Sequence, residues 1–91
     1  MAAPEPQKLE RIVKGFANHN RIRALMLLNQ QPGLSVSDIA AKLRTDINNT
    51  SQHLAKMAVA DLVAKQHDGA EVKHYLTTRG KVVLDFLISL P

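Results

Sequence analysis

The chain contains no cysteine, no tryptophan and only three other aromatic residues. The absence of cysteine excludes disulfides, thiolate metal sites and thiol redox chemistry. Because 45% of its 91 residues are hydrophobic, the core must consist of Leu, Ile, Val, Met and Ala, a mixture that favours helices over a large sheet. The length fits one domain.

The sequence also lacks segments that direct a chain to a membrane. No apolar run approaches the roughly 20 residues that a bilayer-spanning helix requires. Residues 1–7, MAAPEPQ, contain neither the basic nor the apolar region of a signal peptide. We therefore expect a cytoplasmic protein with no membrane partner.

The net charge and the lack of catalytic motifs limit the classes of function that the sequence allows. Twelve Lys and Arg against eight Asp and Glu give a formal charge of +4, which is compatible with nucleic-acid binding without requiring it. No nucleophile, base and orienting group can be assembled with confidence, and no Gly-rich phosphate loop is present. We predict that the protein is not an enzyme and uses no cofactor.

Hydrophobic periodicity predicts two helices in the first third of the chain. Residues 1–7 should be a disordered tail before a folded domain at 8–91. The first helix is marked by apolar residues at i, i+3, i+4 and i+7, namely Leu9, Ile12, Val13 and Phe16. A second helix is predicted at 20–30, with Asn18 or Asn20 as its N-cap. It is apolar around most of its circumference and should be buried.

Two short helices joined by a tight turn are predicted next. The first spans 35–43, with Asp38 three residues after Ser35 as in a capping box. The turn at 44–46 leads into a second helix at 47–60, which Asp46 caps. Its predicted inward residues are Ile47, Ser51, Leu54, Met57 and Ala58.

A small β-hairpin and a closing helix complete the pattern. The strands are predicted at 62–67 and 72–77, with Asp68-Gly69 as a strong turn signal between them. The closing helix, capped by Thr77 or Thr78, carries more apolar residues than one small core needs. The sequence thus predicts a mainly α fold with a small β-hairpin, a winged helix-turn-helix.

The outward face of helix 47–60 is rich in side chains that hydrogen-bond but disfavour helix formation. A DNA major groove displays donors and acceptors that such groups can read. Asn49 and Gln52 are predicted to read bases, and Lys56 to meet a phosphate. The other DNA contacts predicted on this helix are Asn48, Ser51 and His53.

The hairpin carries further candidate DNA contacts. Lys65, Lys73 and His74 are predicted to touch phosphates or the minor groove, although they could equally be solvated hairpin charges. His67 is expected to touch the DNA backbone as well. A metal site at these histidines would need ligands beyond the nearby acidic residues, and we predict none.

Arg21 and Arg23 precede the apolar part of helix 20–30. We expect a structural role for one of them, without being able to say which. The alternative is a solvated helix start, or pairing with an acid such as Asp61 or Asp38.

The order of these elements resembles the winged helix-turn-helix repressors of the ArsR type. ANHNRIRAL at 17–25 is similar to that family's opening segment, and LSVSDIA at 34–40 to the start of its scaffold helix. TSQHL at 50–54 is similar to the centre of its recognition helix, and ADLV at 60–63 to its exit into the wing. LTTRG at 76–80 also resembles MarR-type relatives.

Departures from the ArsR pattern limit what the resemblance implies. Metal-sensing members carry cysteine where this chain has Ser35-Val36-Ser37-Asp38, and the closing helix here offers only Asp85. The resemblance therefore implies DNA binding and dimerisation but not metal sensing. Asp61 replaces a glycine that adopts a left-handed conformation, which Asp tolerates better than most residues.

These observations predict a homodimeric transcriptional repressor that binds double-stranded DNA, with helix 47–60 in the major groove and hairpin 62–77 as the wing. The apolar surplus of the terminal helices would leave a monomer with a large exposed patch. The predicted dimerisation residues are Leu9, Ile12, Val13, Phe16, Val83, Phe86, Leu87 and Leu90.

Two other functions fit the same sequence. The winged helix could instead bind an acidic protein partner through helix 47–60 and the hairpin. A regulator of the MarR kind, responding to an unknown small-molecule or protein effector, is a variant of the DNA-binding hypothesis. Its ligand pocket would have to lie at the dimer interface.

Overall fold

The computed structural model describes residues 2–91, so Met1 of the predicted tail lies outside the described residues. Five helices and one hairpin follow the predicted order, which confirms the mainly α winged helix-turn-helix fold. The first helix begins two residues before the predicted start of the folded domain. The elements are α1 (Pro6–Lys14), α2 (His19–Gln30), α3 (Val36–Leu43), α4 (Ile47–Val59), β1 (Val63–Asp68), β2 (Glu71–Leu76) and α5 (Thr78–Ser89).

Side-chain caps start the helices α2 to α5. Each cap oxygen accepts a hydrogen bond from a backbone N–H two or three residues further on, at 2.9–3.2 Å. Asn18 rather than Asn20 caps α2, and Thr77 rather than Thr78 caps α5. Since a cap satisfies one of the orphan donors of a helix start, these side chains fix where each helix begins. The caps are Asn18, Ser35, Asp46 and Thr77.

The core lies where α2, α3, α4 and α5 meet the base of the hairpin. As predicted, α2 is central, with Leu25 and Leu28 fully buried, although Met26 remains exposed on its far side. By contrast, α1 contributes no buried residue. Within residues 2–91, no helix is long and apolar enough to cross a membrane. The largest fully buried side chains are Leu25, Leu28, Ile39, Leu54, Met57, Leu62 and Leu84.

The inward face of α4 differs from the predicted one. Ile47 and Ser51, both predicted to point inward, are exposed. Thr50 is buried in their place, because its hydroxyl is hydrogen-bonded to the Asp46 carbonyl at 2.8 Å and to the Thr45 hydroxyl at 2.7 Å. Such bonds remove most of the cost of burying a hydroxyl. The buried residues of α4 are Thr50, Leu54 and Met57.

Both strands of the hairpin lie one residue closer to the turn than predicted, at 63–68 and 71–76 instead of 62–67 and 72–77. Val63 pairs with Leu76, and Asp68 pairs with Glu71. The turn therefore consists of Gly69 and Ala70, with Gly69 at a φ of +62° that glycine adopts readily. Asp68, predicted to be part of the turn, is instead the last residue of β1.

A third segment joins the sheet through a single bridge that the sequence did not predict. Leu34, just before α3, pairs with His74 of β2. The His74 N–H donates to the Leu34 carbonyl at 3.0 Å, and the Gly33 N–H donates to the His74 carbonyl at 2.9 Å. The base of the hairpin is thereby attached to the start of α3.

Within residues 2–91, two residues other than glycine adopt the left-handed conformation at helix ends. Asp61 has a φ of 59°, as the ArsR resemblance implied for this position. Arg44 has a φ of 55° and ends α3, a feature that the sequence did not reveal. The left-handed region costs an L-residue roughly 1–2 kcal/mol, so both turns store some strain.

Candidate nucleic-acid interface

The outward face of α4 presents a row of free polar side chains. Six DNA contacts were predicted on this helix, and all of them except His53 are exposed. In the described part of the chain, none of these side chains forms a hydrogen bond or an ion pair. A surface with unused amide groups and one cation can bind a polar, anionic ligand such as a DNA groove. These residues are Asn48, Asn49, Ser51, Gln52 and Lys56.

His53 differs from the other predicted contacts because α2 holds it. The ring is half-buried on the flank of α4, and its Nδ1 accepts a hydrogen bond from Arg21 Nε at 3.0 Å. Burial, followed by the charges of Arg21, Lys56 and His19, lowers the pKa of His53 below 6.5. The imidazole therefore lies at the edge of the outward face as a neutral group.

A structural role was expected for one of Arg21 and Arg23, and both have one; neither pairs with Asp38 or Asp61. Arg21 donates to the carbonyl of Lys14, the last residue of α1, as well as to His53. Arg23 donates to the carbonyl of Leu43 at 2.7 Å. Helix ends leave carbonyls without intrahelical donors, and these guanidinium groups satisfy two of them.

His74 does not belong to the predicted DNA surface. Only 3% of the residue is exposed, and its Nδ1–H donates to the Leu34 carbonyl at 2.9 Å. A buried ring already bound to the protein cannot reach a DNA phosphate. His67 and His74 are not cross-strand partners, because the register pairs His67 with Val72 and His74 with Lys65.

His74 should make stability depend on pH. Burial lowers the pKa of His74 below 6.5 despite its bond to Leu34, so the unfolded chain binds a proton first as pH falls. The stability that the neutral ring of His74 contributes to the fold is therefore complete above pH 6.5. It declines as the pH falls below 6.5 towards the pKa of His74 in the folded state. We expect His74→Asn to cost about 1–2 kcal/mol at neutral pH and to weaken the loss of stability on acidification.

Urea unfolding at about pH 7.5 and about pH 5.5 measures this dependence. His67→Asn, at an exposed wing position, is the matched control and should behave like the unmodified chain. A His74→Asn variant with an unchanged pH dependence would show that another group is responsible.

The two wing lysines are not equivalent. Lys73 forms an ion pair with Asp68 at 3.0 Å, and this hydrogen bond and charge raise the pKa of Lys73. Lys65 is exposed and makes no ion pair within the described residues. Part of the charge of Lys73 is therefore offset by Asp68, which leaves Lys65 as the wing cation with more freedom to meet a phosphate.

Comparison with known proteins identifies the family of this chain. The model of the MarR family matches residues 17–70, more than half of the chain. The chain belongs to the MarR family. The transcriptional regulator HlyU from Vibrio vulnificus is 32% identical, with 92% of this chain and 88% of that chain covered and a TM-score of 0.75. The family and fold are those of transcriptional regulators, which are not enzymes.

Two more distant structures share the fold of this MarR-family chain. The homodimeric winged helix-turn-helix domain of Mb0332 from Mycobacterium bovis, a possible ArsR-family regulator, is 22% identical, with coverage of 99% and 88% and a TM-score of 0.79. MepR of S. aureus, solved with DNA, is 22% identical, with coverage of 91% and 72% and a TM-score of 0.76. No curated protein sequence is significantly similar. The ArsR resemblance is thus confirmed only as membership of the winged-helix transcriptional regulators.

A basic groove, which the sequence did not predict, lies beside the outward face of α4. It has a volume of about 580 Å³, and its apolar lining includes Ile12 and Val59. The sequence pattern that could have predicted this groove is the spacing of three of its cations, at i, i+3 and i+6 along α1. The groove brings cations of α1 and α5 next to Lys56 of α4. Its cations are Lys8, Arg11, Lys14, Lys56 and Arg79.

The predicted dimerisation residues divide into two groups. Phe16, Val83 and Leu87 pack against the core of their own chain, and Ile12 is half-buried. The other four are large apolar residues, yet between 45% and 61% of each is exposed. Such surface is unfavourable in water. The exposed members are Leu9, Val13, Phe86 and Leu90.

No metal site emerges from the described chain. Within residues 2–91, no group of three or more His, Asp or Glu side chains could hold an ion. The histidines at positions 53 and 74 each have one ring nitrogen engaged by α2 or by Leu34.

Proposed function

We propose that this chain is a cytoplasmic, homodimeric repressor that reads a specific DNA sequence, with residues 8–91 as its DNA-binding and dimerisation domain. The observation that carries the proposal is the row of exposed, unpaired amide side chains on α4. The DNA complex of MepR and the homodimer of Mb0332 support it. As part of the proposal, the likeness to homodimeric Mb0332 favours an ArsR-like dimer, and the exposed apolar residues of α1 and α5 favour the terminal helices as its interface.

In this proposal α4 lies in the major groove. Asn49 and Gln52 read base edges, because an amide can bridge N6 and N7 of adenine. Asn48 and Ser51 contact the sugar-phosphate backbone, and Lys56 neutralises a phosphate. Lys65 and, less strongly, Lys73 bring the wing to the flanking backbone.

The dimer determines the geometry of the operator. A two-fold axis between α1 and α5 of the two copies would present two α4 helices to one face of the duplex. The operator should therefore consist of inverted half-sites centred about one helical turn apart, or a multiple of it. Occupancy of such a site blocks polymerase, which makes the protein a repressor.

Substitutions on α4 should separate base reading from phosphate binding. Asn49→Ala and Gln52→Ala should each cost roughly 1–3 kcal/mol on the selected site and little on random DNA. Lys56→Ala should weaken both about equally and reduce the slope of affinity against salt by about one unit. Selection from a random duplex pool, followed by competition titrations at two salt concentrations, measures all of these effects.

Lys81→Ala is the matched lysine control, because Lys81 lies on α5 and contacts Asn29 and Asp85. It should change neither affinity nor salt dependence. If the two amide variants are silent while Lys56→Ala still matters, α4 binds backbone without reading bases. If the chain binds no duplex even at low salt, α4 and the wing serve a protein partner instead.

A further inference from the structure

The hydrogen bond between Arg21 and His53 determines which ring nitrogen of His53 carries a proton. A guanidinium group has donors but no acceptor and stays charged in proteins. Its Nε–H therefore donates to Nδ1 of His53, at 3.0 Å. Nδ1 must then be the unprotonated nitrogen, and the proton of the neutral ring must be on Nε2.

Arg21 is itself held from two other directions. Its backbone N–H bonds to the Asn18 cap at 3.3 Å, and its guanidinium also donates to the Lys14 carbonyl. These contacts fix the donor at the end of α1 and the start of α2. The geometry of His53 on α4 is thus set by groups outside α4.

The second ring nitrogen of His53 is available to a ligand. No bond to Nε2 forms within the described residues, and no buried side-chain nitrogen or oxygen there lacks a hydrogen-bond partner. Nε2 is therefore accessible to solvent. His74 provides the contrast, because its ring is buried and its Nδ1–H is used by Leu34. The lowered pKa of His53 agrees with a neutral ring that has one free N–H.

We propose that Arg21 is a positioning residue that fixes His53 as an Nε2–H donor, so that His53 reads an acceptor atom on a base edge in the major groove. This inference rests on the proposed DNA-reading function of α4. Purine N7, guanine O6 and thymine O4 are acceptors in that groove, whereas cytosine presents only its N4 amino donor. The fixed tautomer therefore excludes cytosine at one position of each half-site.

Without Arg21, the ring could exchange its proton between the two nitrogens. A ring with unprotonated Nε2 accepts a hydrogen bond from the cytosine amino group, so the exclusion of cytosine would weaken. The specificity at this position thus depends on a residue that does not itself touch DNA.

The tautomer can be measured in the free protein, without DNA. Long-range proton–nitrogen NMR of the imidazole should show His53 only as the Nε2–H form at neutral pH. Arg21→Met, which removes the donor and keeps the aliphatic stem, should shift the His53 nitrogen signals towards those of the exposed His67. Arg23→Met is the matched control, because Arg23 donates to Leu43 and not to His53.

The reading role is tested on selected DNA. Replacing the preferred base by cytosine should weaken binding of the unmodified chain by about tenfold or more. Arg21→Met and His53→Ala should each reduce this penalty to about twofold. The double variant should reduce the penalty no further than either single variant. Arg23→Met should keep the full penalty. Arg21→Lys, which can still donate to Nδ1, should retain part of it.

Each failure has a distinct signature. An Nδ1–H tautomer in the unmodified chain, or one that Arg21→Met leaves unchanged, would overturn the positioning role whatever happens with DNA. A fixed tautomer without a His53-dependent cytosine penalty would overturn the reading role alone. If the unmodified chain binds no duplex, the reading role fails together with the proposed function.

Discussion

Phe86→Glu is expected to convert the protein into a folded monomer. Phe86 is 56% exposed on α5, two residues beyond the buried Leu84 and therefore on the opposite side of the helix. In a two-fold dimer, the change removes a buried aromatic ring from both copies and places two carboxylates in an apolar interface. We expect the dissociation constant to rise by about a thousandfold or more, which is roughly 4 kcal/mol.

Sedimentation velocity at micromolar concentration measures this shift, and circular dichroism verifies that the variant is folded. Ile88→Glu is the matched control, since Ile88 is 60% exposed on the same helix but lies on the flank with Lys81 and Asp85. It should remain dimeric. Leu87→Glu is less informative, because Leu87 packs against the core of its own chain. A monomeric unmodified chain would contradict the proposed dimer.

Gly80→Ala is expected to destabilise the fold strongly. Gly80 is buried in the first turn of α5, and a Cβ there would overlap the carbonyl oxygen of Leu62. That carbonyl accepts the Thr77 N–H at 3.1 Å, so relieving the overlap would disturb the junction of α4, hairpin and α5. Overpacking typically costs 1–3 kcal/mol, and the rigid backbone neighbour places the expected loss at about 3 kcal/mol, after any gain in helix propensity.

Urea unfolding at fixed protein concentration measures the loss. Gly69→Ala provides the comparison, because Gly69 has a positive φ but no atom within 4 Å of the added Cβ. Strain alone should cost it about 1 kcal/mol. If Gly80→Ala costs no more than Gly69→Ala, the close contact with Leu62 does not control stability.

Local chemistry made most of the fold predictable from the sequence. Cap residues such as Asp46 and Thr77 mark helix starts by a bond that spans only three residues, so the predicted starts were accurate to within about two positions. The hairpin was recognised from its glycine, but both strands were placed one residue too far from the turn. Whether Asp68 belongs to the strand or the turn depends on its pairing with Glu71 across the ladder, which no local sequence pattern reveals.

The errors at the site come from contacts distant in sequence. His74 was assigned to the DNA surface because its acceptor, the Leu34 carbonyl, lies 40 residues away. Arg21 and His53 are 32 residues apart, and no local pattern connects them. Thr50 and Ser51 are adjacent residues with hydroxyls, so periodicity alone could not decide which one faces the core. The exposed amides of α4 were predictable because no long-range contact uses them.

The bridge between Leu34 and His74 divides the hairpin into two mechanically different parts. On the helical side of the bridge, the strands are anchored to α3 and to the core, so their amide protons should exchange slowly with solvent. Beyond it, residues 66–73 are held by their own ladder and the ion pair between Lys73 and Asp68, and should exchange faster. The tip can therefore change length or sequence without disturbing the helices. Insertions between Gly69 and Ala70 should be tolerated, whereas insertions at Gly33 should not.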